Sequence, residues 1–340
     1  MAELQSSTGD SEMDRRAFVA SAVGALFALS SGLPVQGQEK IHRIGFLSPF
    51  ARADVETLIR ELRPELEKLG WTDGRNIVLL VRTTDGNNAR LPSVARELIA
   101  ERPDLILVQS TPATRALMQA TKSIPVVMVG VGNPLENGIV ADYGKPGGNV
   151  TGASYLGDES TGKLLQLLKE AAPRVRSVAV FVNPTNEAAA EGVKQLRAHA
   201  AALGIQAQLV EVSAKSDFEP AFAAIRSANA ESVLLIPESL IRSNRSAIAD
   251  FAQTHGLPLA VVGSSRYLPA SGLIAFGPTS QQYAQLAARY VDRILKGAKP
   301  GDLPVEQPAR FELVINLKAA RALGLTIPQT LLQRADEVIQ

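Results

Sequence analysis

In a chain of alternating strands and helices, ligands collect at the carboxyl ends of the strands, so the residues found there decide what chemistry is open to it. In the first half of this chain those positions hold Ser48, Asp85, the pair Ser110-Thr111 and the run Gly130-Val131-Gly132-Asn133. In the second half they hold Asn183, Pro237-Glu238 and Gly263-Ser264-Ser265. Hydroxyls, amides and exposed backbone at helix starts suit a small ligand that carries a carboxylate or several hydroxyls. Tyr155, Tyr267, Phe50 and Phe276 are close enough in sequence to supply apolar walls. Ser48, Ser110 and Thr111 also fit as helix caps, and both roles coexist where a helix start faces a cleft. Asp85-Gly86-Asn87 is turn chemistry with a second role as partner of a ligand ammonium, and Asn183-Pro184 and Glu238 carry the same double reading.

Catalysis finds little support. His42 begins a strand at the end away from these positions, His199 lies mid-helix, and His255 precedes the glycine that ends a helix. The chain holds no GxSxG elbow, no HExxH and no carboxylate pair at the strand ends, so neither a hydrolase nor a metallopeptidase is indicated. The GxG of Gly130 to Gly132 is too short to mark a dinucleotide site. Trp71 follows the first helix on the side opposite the strand ends and reads as packing.

The elements that must position these residues are βα units. Apolar runs predict strands at Ile44–Leu47, Ile77–Val81, Leu105–Val108 and Val126–Val129, then at Val178–Val182, Ala207–Val212, Val233–Ile236, Leu259–Val262 and Leu273–Phe276. Between them, apolar residues recur at three and four positions, as in Val55, Leu58, Ile59, Leu62, Leu66 and Leu69, the period of a half-buried helix. Pro64 inside that pattern is expected to kink or split the helix. The halves also match each other in order and spacing. Ile44 to Pro49 corresponds to Ala179 to Pro184, Ile124 to Gly130 to Leu257 to Gly263, and Leu69-Gly70 to Leu203-Gly204. A duplicated lobe follows, with the glycine-dense stretch Tyr143 to Gly152 as the crossover between copies.

The chain of 340 residues is 46% hydrophobic and 20% charged, which excludes disorder and suggests about two domains. Lys+Arg number 35 against Asp+Glu 34, scattered singly, so no nucleic-acid partner is expected. The absence of cysteine excludes disulfides, a thiolate nucleophile and a lipid-modified N-terminal cysteine. Arg15-Arg16 stand before an apolar stretch from Ala17 to Leu33, the pattern of a twin-arginine export leader. With Ser21, Gly24, Ser30, Ser31 and Gly32 inside it, the stretch falls at or below the ~17–25 residues of a spanning helix. Val35-Gln36-Gly37 places small residues at the −3 and −1 positions, so cleavage is expected after Gly37 and the mature chain in the periplasm.

Several runs together resemble one family. They are the double-arginine leader, Asn149-Val150-Thr151-Gly152, Val178 to Pro184, Tyr290-Val291-Asp292-Arg293-Ile294-Leu295-Lys296-Gly297, Leu303 to Pro308 and Phe311-Glu312-Leu313-Val314-Ile315-Asn316. The family is that of ABC transporter substrate-binding proteins, which includes aromatic-amino-acid binders, and the likeness spans 41 to 340. It implies an α/β type I periplasmic binding protein: two Rossmann-like lobes with parallel sheets, joined by a hinge of three crossovers. It also implies a small-molecule ligand trapped by closure, and permease and ATPase subunits as partners. No cofactor, no metal and no enzymatic activity are expected, and the protein is expected to be a monomer. The boundaries expected are a leader over 1–37, a first lobe over 38–152 with a returning segment at about 278–310, a second lobe over 153–277, and a C-terminal hinge crossover and tail over 311–340. The rival readings are a periplasmic sensory module and a periplasmic enzyme on a doubly wound fold.

Overall fold

The computed structural model describes residues 40–155, 157–186 and 189–340, and only the backbone of residues 157, 158 and 189–191. The leader expected over 1–37, with Arg15-Arg16 and the cleavage point after Gly37, lies outside the described residues.

Five short apolar runs become β1 (His42–Ser48), β2 (Ile77–Thr83), β3 (Leu105–Val108), β4 (Val126–Gly132) and β5 (Val150–Tyr155). They pair in parallel in the order β2-β1-β3-β4-β5. Leu105 to Val108 are fully buried because helices cover both faces of the sheet, which is why that strand is an unbroken apolar run in the sequence. The helices are α1 (Arg52–Lys68), α2 (Leu91–Ala100) and α3 (Thr111–Ala120). In α1 the periodic residues Val55, Leu58, Ile59, Leu62 and Leu66 form the buried stripe. Of the kink or split expected at Pro64, the split does not occur: the helix runs on through it. Pro64 and Arg60 are both exposed, so the Arg60 carbonyl that loses its N–H partner can turn to water.

The second lobe starts with α4 (Gly157–Ala171) and repeats the plan with β6 (Ser177–Val182), α5 (Ala189–Ala202), β7 (Gln206–Glu211), α6 (Phe218–Ser227) and β8 (Val233–Leu235). It continues through α7 (Ser239–Ser243), α8 (Arg245–Thr254), β9 (Leu259–Val262) and β10 (Ile274–Pro278). The order β7-β6-β8-β9-β10 is that of the first sheet, so the internal match of the sequence reappears as a repeated topology. Both are the 2-1-3-4-5 arrangement, which opens a crevice beside its first and third strands.

Each lobe's fifth strand leads into a helix that packs on the other lobe. β5 passes to α4, which lies against β9 and β10, and β10 passes to α9 (Ser280–Leu295), which lies against α1 and β4. The chain therefore crosses after Tyr155, not within Tyr143 to Gly152. Val150 onward is a strand, and Gly152, at φ +125°, sits where a Cβ would come within 2.4 Å of the Met128 carbonyl oxygen. A third crossing follows Glu306, whose main chain pairs with Gly152 and Ser154 of β5. It enters β11 (Phe311–Asn316), antiparallel to β10, and α10 (Leu317–Ala322), α11 (Gln329–Leu332) and β12 (Glu337–Ile339) complete the seven-stranded sheet. The Gln282 side chain ties the second crossing to the third. Its Nε2 donates to the Arg310 carbonyl at 2.6 Å and its Oε1 accepts from the Arg310 N–H at 3.0 Å. Among the described residues no helix is long and apolar enough to cross a membrane.

Candidate functional site

The strand ends of both lobes face one cavity of about 200 Å³. This is below the range of about 300–1,000 Å³ typical of drug-sized ligands and suits a single small molecule.

On the first lobe, the turn from β3 to α3 brings Gln109, Ser110 and Thr111 to the cavity, and β4 brings Gly130, Gly132 and Asn133. Ser110 holds φ +75° and Asn133 φ +43°, backbone states that cost about 1–3 kcal/mol each and persist where the surroundings impose them. The Ser110 hydroxyl accepts from the Ala113 N–H at 3.4 Å, capping α3. Thr111, 7% exposed, begins that helix at its electropositive end.

On the second lobe, Asn183 ends β6 and Glu238 caps α7. The Glu238 carboxylate is 5% exposed and accepts from Asn183 Nδ2 at 3.2 Å, Ser239 Oγ at 3.2 Å and the Ile241 N–H at 3.1 Å. Such hydrogen bonds are what allow a carboxylate to be buried. Asn183 Oδ1 accepts from the Thr185 N–H at 3.0 Å and Oγ1 at 2.7 Å, so the Asn183 amide sets the shape of this wall. Arg242, one turn beyond Glu238, stacks on aromatic rings of both lobes: its guanidinium carbon is 4.4 Å from the Phe50 ring centroid and 3.6 Å from that of Tyr267.

Three tyrosines line the cavity, and each lies against a glycine. A Cβ at Gly130 would stand 3.1 Å from the Tyr283 ring, one at Gly132 3.2 Å from Tyr155, and one at Gly263 3.0 Å from Tyr267. The missing side chains are the room the rings occupy. Burial first, then the neighbouring Tyr155 and Tyr267, push the Tyr283 phenol well above its usual value, partly offset by Arg242. Tyr283 therefore stays neutral, able to donate or accept a hydrogen bond.

The two lobes touch along one rim. Arg245 makes two bonds to Asp54, at 3.1 and 3.0 Å, and Arg266 bonds Glu61 at 3.2 Å and the Asp54 carbonyl at 3.1 Å. Ser239 Oγ also lies 3.1 Å from Asn88 Oδ1 of the first lobe. These contacts join the two lobes along this rim. A wider recess of about 670 Å³ adjoins the cavity, sharing Thr111, Pro112, Asn183 and Asn186 with it and lined further by Asp85, Arg115 and Lys215.

Of the residues expected at the site, Ser110, Thr111, Gly132, Asn133, Tyr155, Asn183, Glu238 and Tyr267 line the cavity, as does Phe50. Others do not. Ser48 is fully buried behind it, donating to Gln109 Oε1 at 3.0 Å and accepting from the Phe50 N–H at 3.2 Å. Asp85 is held on the outer recess by the start of α1, where its carboxylate accepts from the Arg52 N–H at 2.9 Å. Ser264 is buried behind Gly263, Ser265 turns toward Glu312, and Phe276 stacks on Phe311 with centroids 5.5 Å apart. Trp71 donates to Asp292 at 2.9 Å, within the first lobe's packing. Among the described residues no cluster of histidine or carboxylate side chains could hold a metal.

Sequence reasoning missed Gln109, Arg242 and Tyr283. Arg242 lies within a helix, one turn past the strand end that was considered, and its spacing of four from Glu238 was the available signal. Tyr283 belongs to α9, and only the exchange of that helix between lobes brings it to the first lobe's strand ends.

A family model described as ABC transporter substrate binding protein matches residues 55–339. A tyrosine-binding protein of Clostridioides difficile (strain R20291) is 29% identical over 263 residues, 76% of this chain and 74% of that protein. Among solved structures, a conserved domain protein from Vibrio cholerae superposes with a TM-score of 0.82 at 28% identity, covering 88% of this chain and all of the other. The ABC domain from Streptococcus pneumoniae in complex with L-Trp does so with a TM-score of 0.81 at 24% identity, again over 88% of this chain and 100% of that one. With two lobes of repeated topology, three crossings and a cavity lined from both, the chain belongs to the family of ABC transporter substrate-binding proteins.

Proposed function

We propose that this protein is the receptor of an ABC importer that closes its lobes on an aromatic amino acid, or a closely similar small carboxylate, and presents it to a permease and its ATPase. The family is one of extracytoplasmic binding proteins and not of enzymes. The observation that carries the ligand class is the lining: four aromatic residues, Phe50, Tyr155, Tyr267 and Tyr283, around a cavity whose charged side chains among the described residues are Glu238 and Arg242. Aromatic walls suit a ring, and a carboxylate with a guanidinium suits a zwitterion. That a tyrosine-binding protein and an L-Trp complex are among the relatives supports the same class.

In this reading Thr111 and Asn183 face the same ligand from opposite lobes, and the first lobe, with the segment that returns at α9, swings against the second about the three crossings. The protein works as a monomer in the periplasm, exported folded by Arg15-Arg16. Replacing both with lysine is expected to leave precursor in the cytoplasm, and normal processing of that variant would remove the twin-arginine route.

The ligand class is tested by thermal denaturation with L-tyrosine, L-tryptophan and L-phenylalanine against aliphatic amino acids and sugars. A ligand that binds only the folded state adds about 2.7 kcal/mol at a hundredfold excess over Kd, so an aromatic amino acid is expected to raise the midpoint. A response to none of the aromatic compounds would overturn the reading.

A further inference from the structure

The charged side chains on this rim are not equally satisfied. Arg245 is matched to Asp54, Arg266 to Glu61, and Arg115 donates to the Asn137 carbonyl at 2.8 Å. Of these four arginines Arg242 alone lines the cavity, with the Phe50 and Tyr267 rings against its guanidinium. Its guanidinium has no hydrogen-bond or ion-pair partner among the described residues, and the nearby Glu238 carboxylate already accepts three hydrogen bonds from Asn183, Ser239 and Ile241. Ring contacts satisfy the face of a guanidinium but not its N–H edge, which is the fork that matches a carboxylate with two parallel bonds. A half-buried cation on the cavity wall, with rings against its face and no hydrogen-bond partner for its N–H edge among the described residues, asks for an anionic group in that cavity.

We propose that Arg242 is the anchor of the ligand carboxylate, so that the cavity admits aromatic acids and amino acids and rejects the matching amines and amides. This rests on the reading that the cavity is the ligand site. Phe50 and Tyr267 hold the planar fork in one orientation. Because Phe50 comes from the first lobe and Tyr267 from the second, the fork is fully formed only when the lobes close, which couples recognition of the carboxylate to closure.

The test is calorimetric titration of the full chain with L-tyrosine and L-tryptophan, with their primary amides, and with tyramine and tryptamine. The wild type is expected to bind the amides and amines at least about a hundredfold more weakly than the acids. Arg242→Met, which keeps the stem but not the charge, should weaken the acids by about tenfold to a hundredfold and leave the amides nearly unchanged, so that the acid-to-amide ratio collapses. Arg242→Lys should restore part of that ratio. Equal losses for acids and amides in Arg242→Met, with the fold intact by circular dichroism, would make Arg242 a closure contact only and overturn the proposal. Binding by the wild type without preference for the acids would overturn it too while leaving the aromatic site standing. Binding of none of the compounds would overturn both readings together.

Discussion

The two lobes repeat one strand order, yet they furnish the cleft in different ways. In the first lobe the third strand runs through Gln109 and Ser110 straight into the ten-residue α3, and what it offers is a helix start, hydroxyls and strained backbone at Ser110 and Asn133. In the second lobe the equivalent strand leads through Pro237 and Glu238 into the five-residue α7, and the chain turns at Asn244 before α8 begins. Glu238 caps this short helix, Arg242 lies within it and Arg245 follows the turn, so the charged side chains that line the cavity, Glu238 and Arg242, belong to the second lobe. One architecture thus supplies two functions. The first lobe offers a neutral wall of hydroxyls and backbone, and the second a charged wall of Glu238 and Arg242.

The difference between the lobes should be most sensitive to Glu238. Glu238→Ala leaves the Ile241 N–H and the Asn183 amide without their acceptor in a buried wall, and about 2–3 kcal/mol of stability should be lost. Chemical denaturation measures this, and Glu238→Gln, which keeps an acceptor oxygen, should recover part of the loss. If Glu238→Ala unfolds at the wild-type midpoint, the second lobe's wall does not depend on this carboxylate.

The first lobe's contribution is sharpened by Thr111→Val. The hydroxyl at the start of α3 has no side-chain partner among the described residues, so its removal should scarcely change stability. A hydrogen bond to a charged ligand group, worth roughly 1.5–3 kcal/mol, is lost instead, and affinity should fall by about tenfold to a hundredfold. A lower melting temperature with unchanged affinity would mean that Thr111 serves the helix alone.

A smaller effect is expected on the rim. Asp54 and Arg245 do not line the cavity, so Arg245→Met should leave the first encounter intact and speed ligand release about tenfold. The difference from wild type should shrink at high salt, since an ion pair that is partly open to solvent is screened. In a double-mutant cycle with Asp54→Asn the two changes should be strongly non-additive, and full additivity would separate this pair from closure. Least of all should follow from Trp71→Phe. It removes the bond to Asp292, costs the first lobe roughly 1 kcal/mol, and should leave ligand affinity as it was.

How far the cleft could be read beforehand follows from the same contrast. Strands buried on both faces write themselves as apolar runs, and the residues that end them can be counted off, so Thr111, Asn133, Asn183 and Glu238 were legible. Side-chain direction at a strand end was not. Ser48 and Ser264 sit at the right positions and turn inward, because Phe50 and Gly263 take the places facing the cavity. Residues that reach the cavity by exchange of helices carry no local mark, which is why Tyr283 was missed. Pro64 does not split α1 for a simpler reason: its cost as a helix breaker assumes a carbonyl left without a partner, and on the exposed side of α1 water is available.

Closure of the two lobes on a ligand can be read as a distance. The chain contains no cysteine, so Gln119→Cys on the first lobe and Lys215→Cys on the second, both exposed at the recess between the lobes, give a uniquely labelled pair for spin-label or fluorescence distance measurement. Adding the aromatic amino acid is expected to shift the pair to one shorter distance, with a midpoint at the Kd found by calorimetry. A distance distribution that stays the same at saturating ligand, while calorimetry records binding, would contradict it.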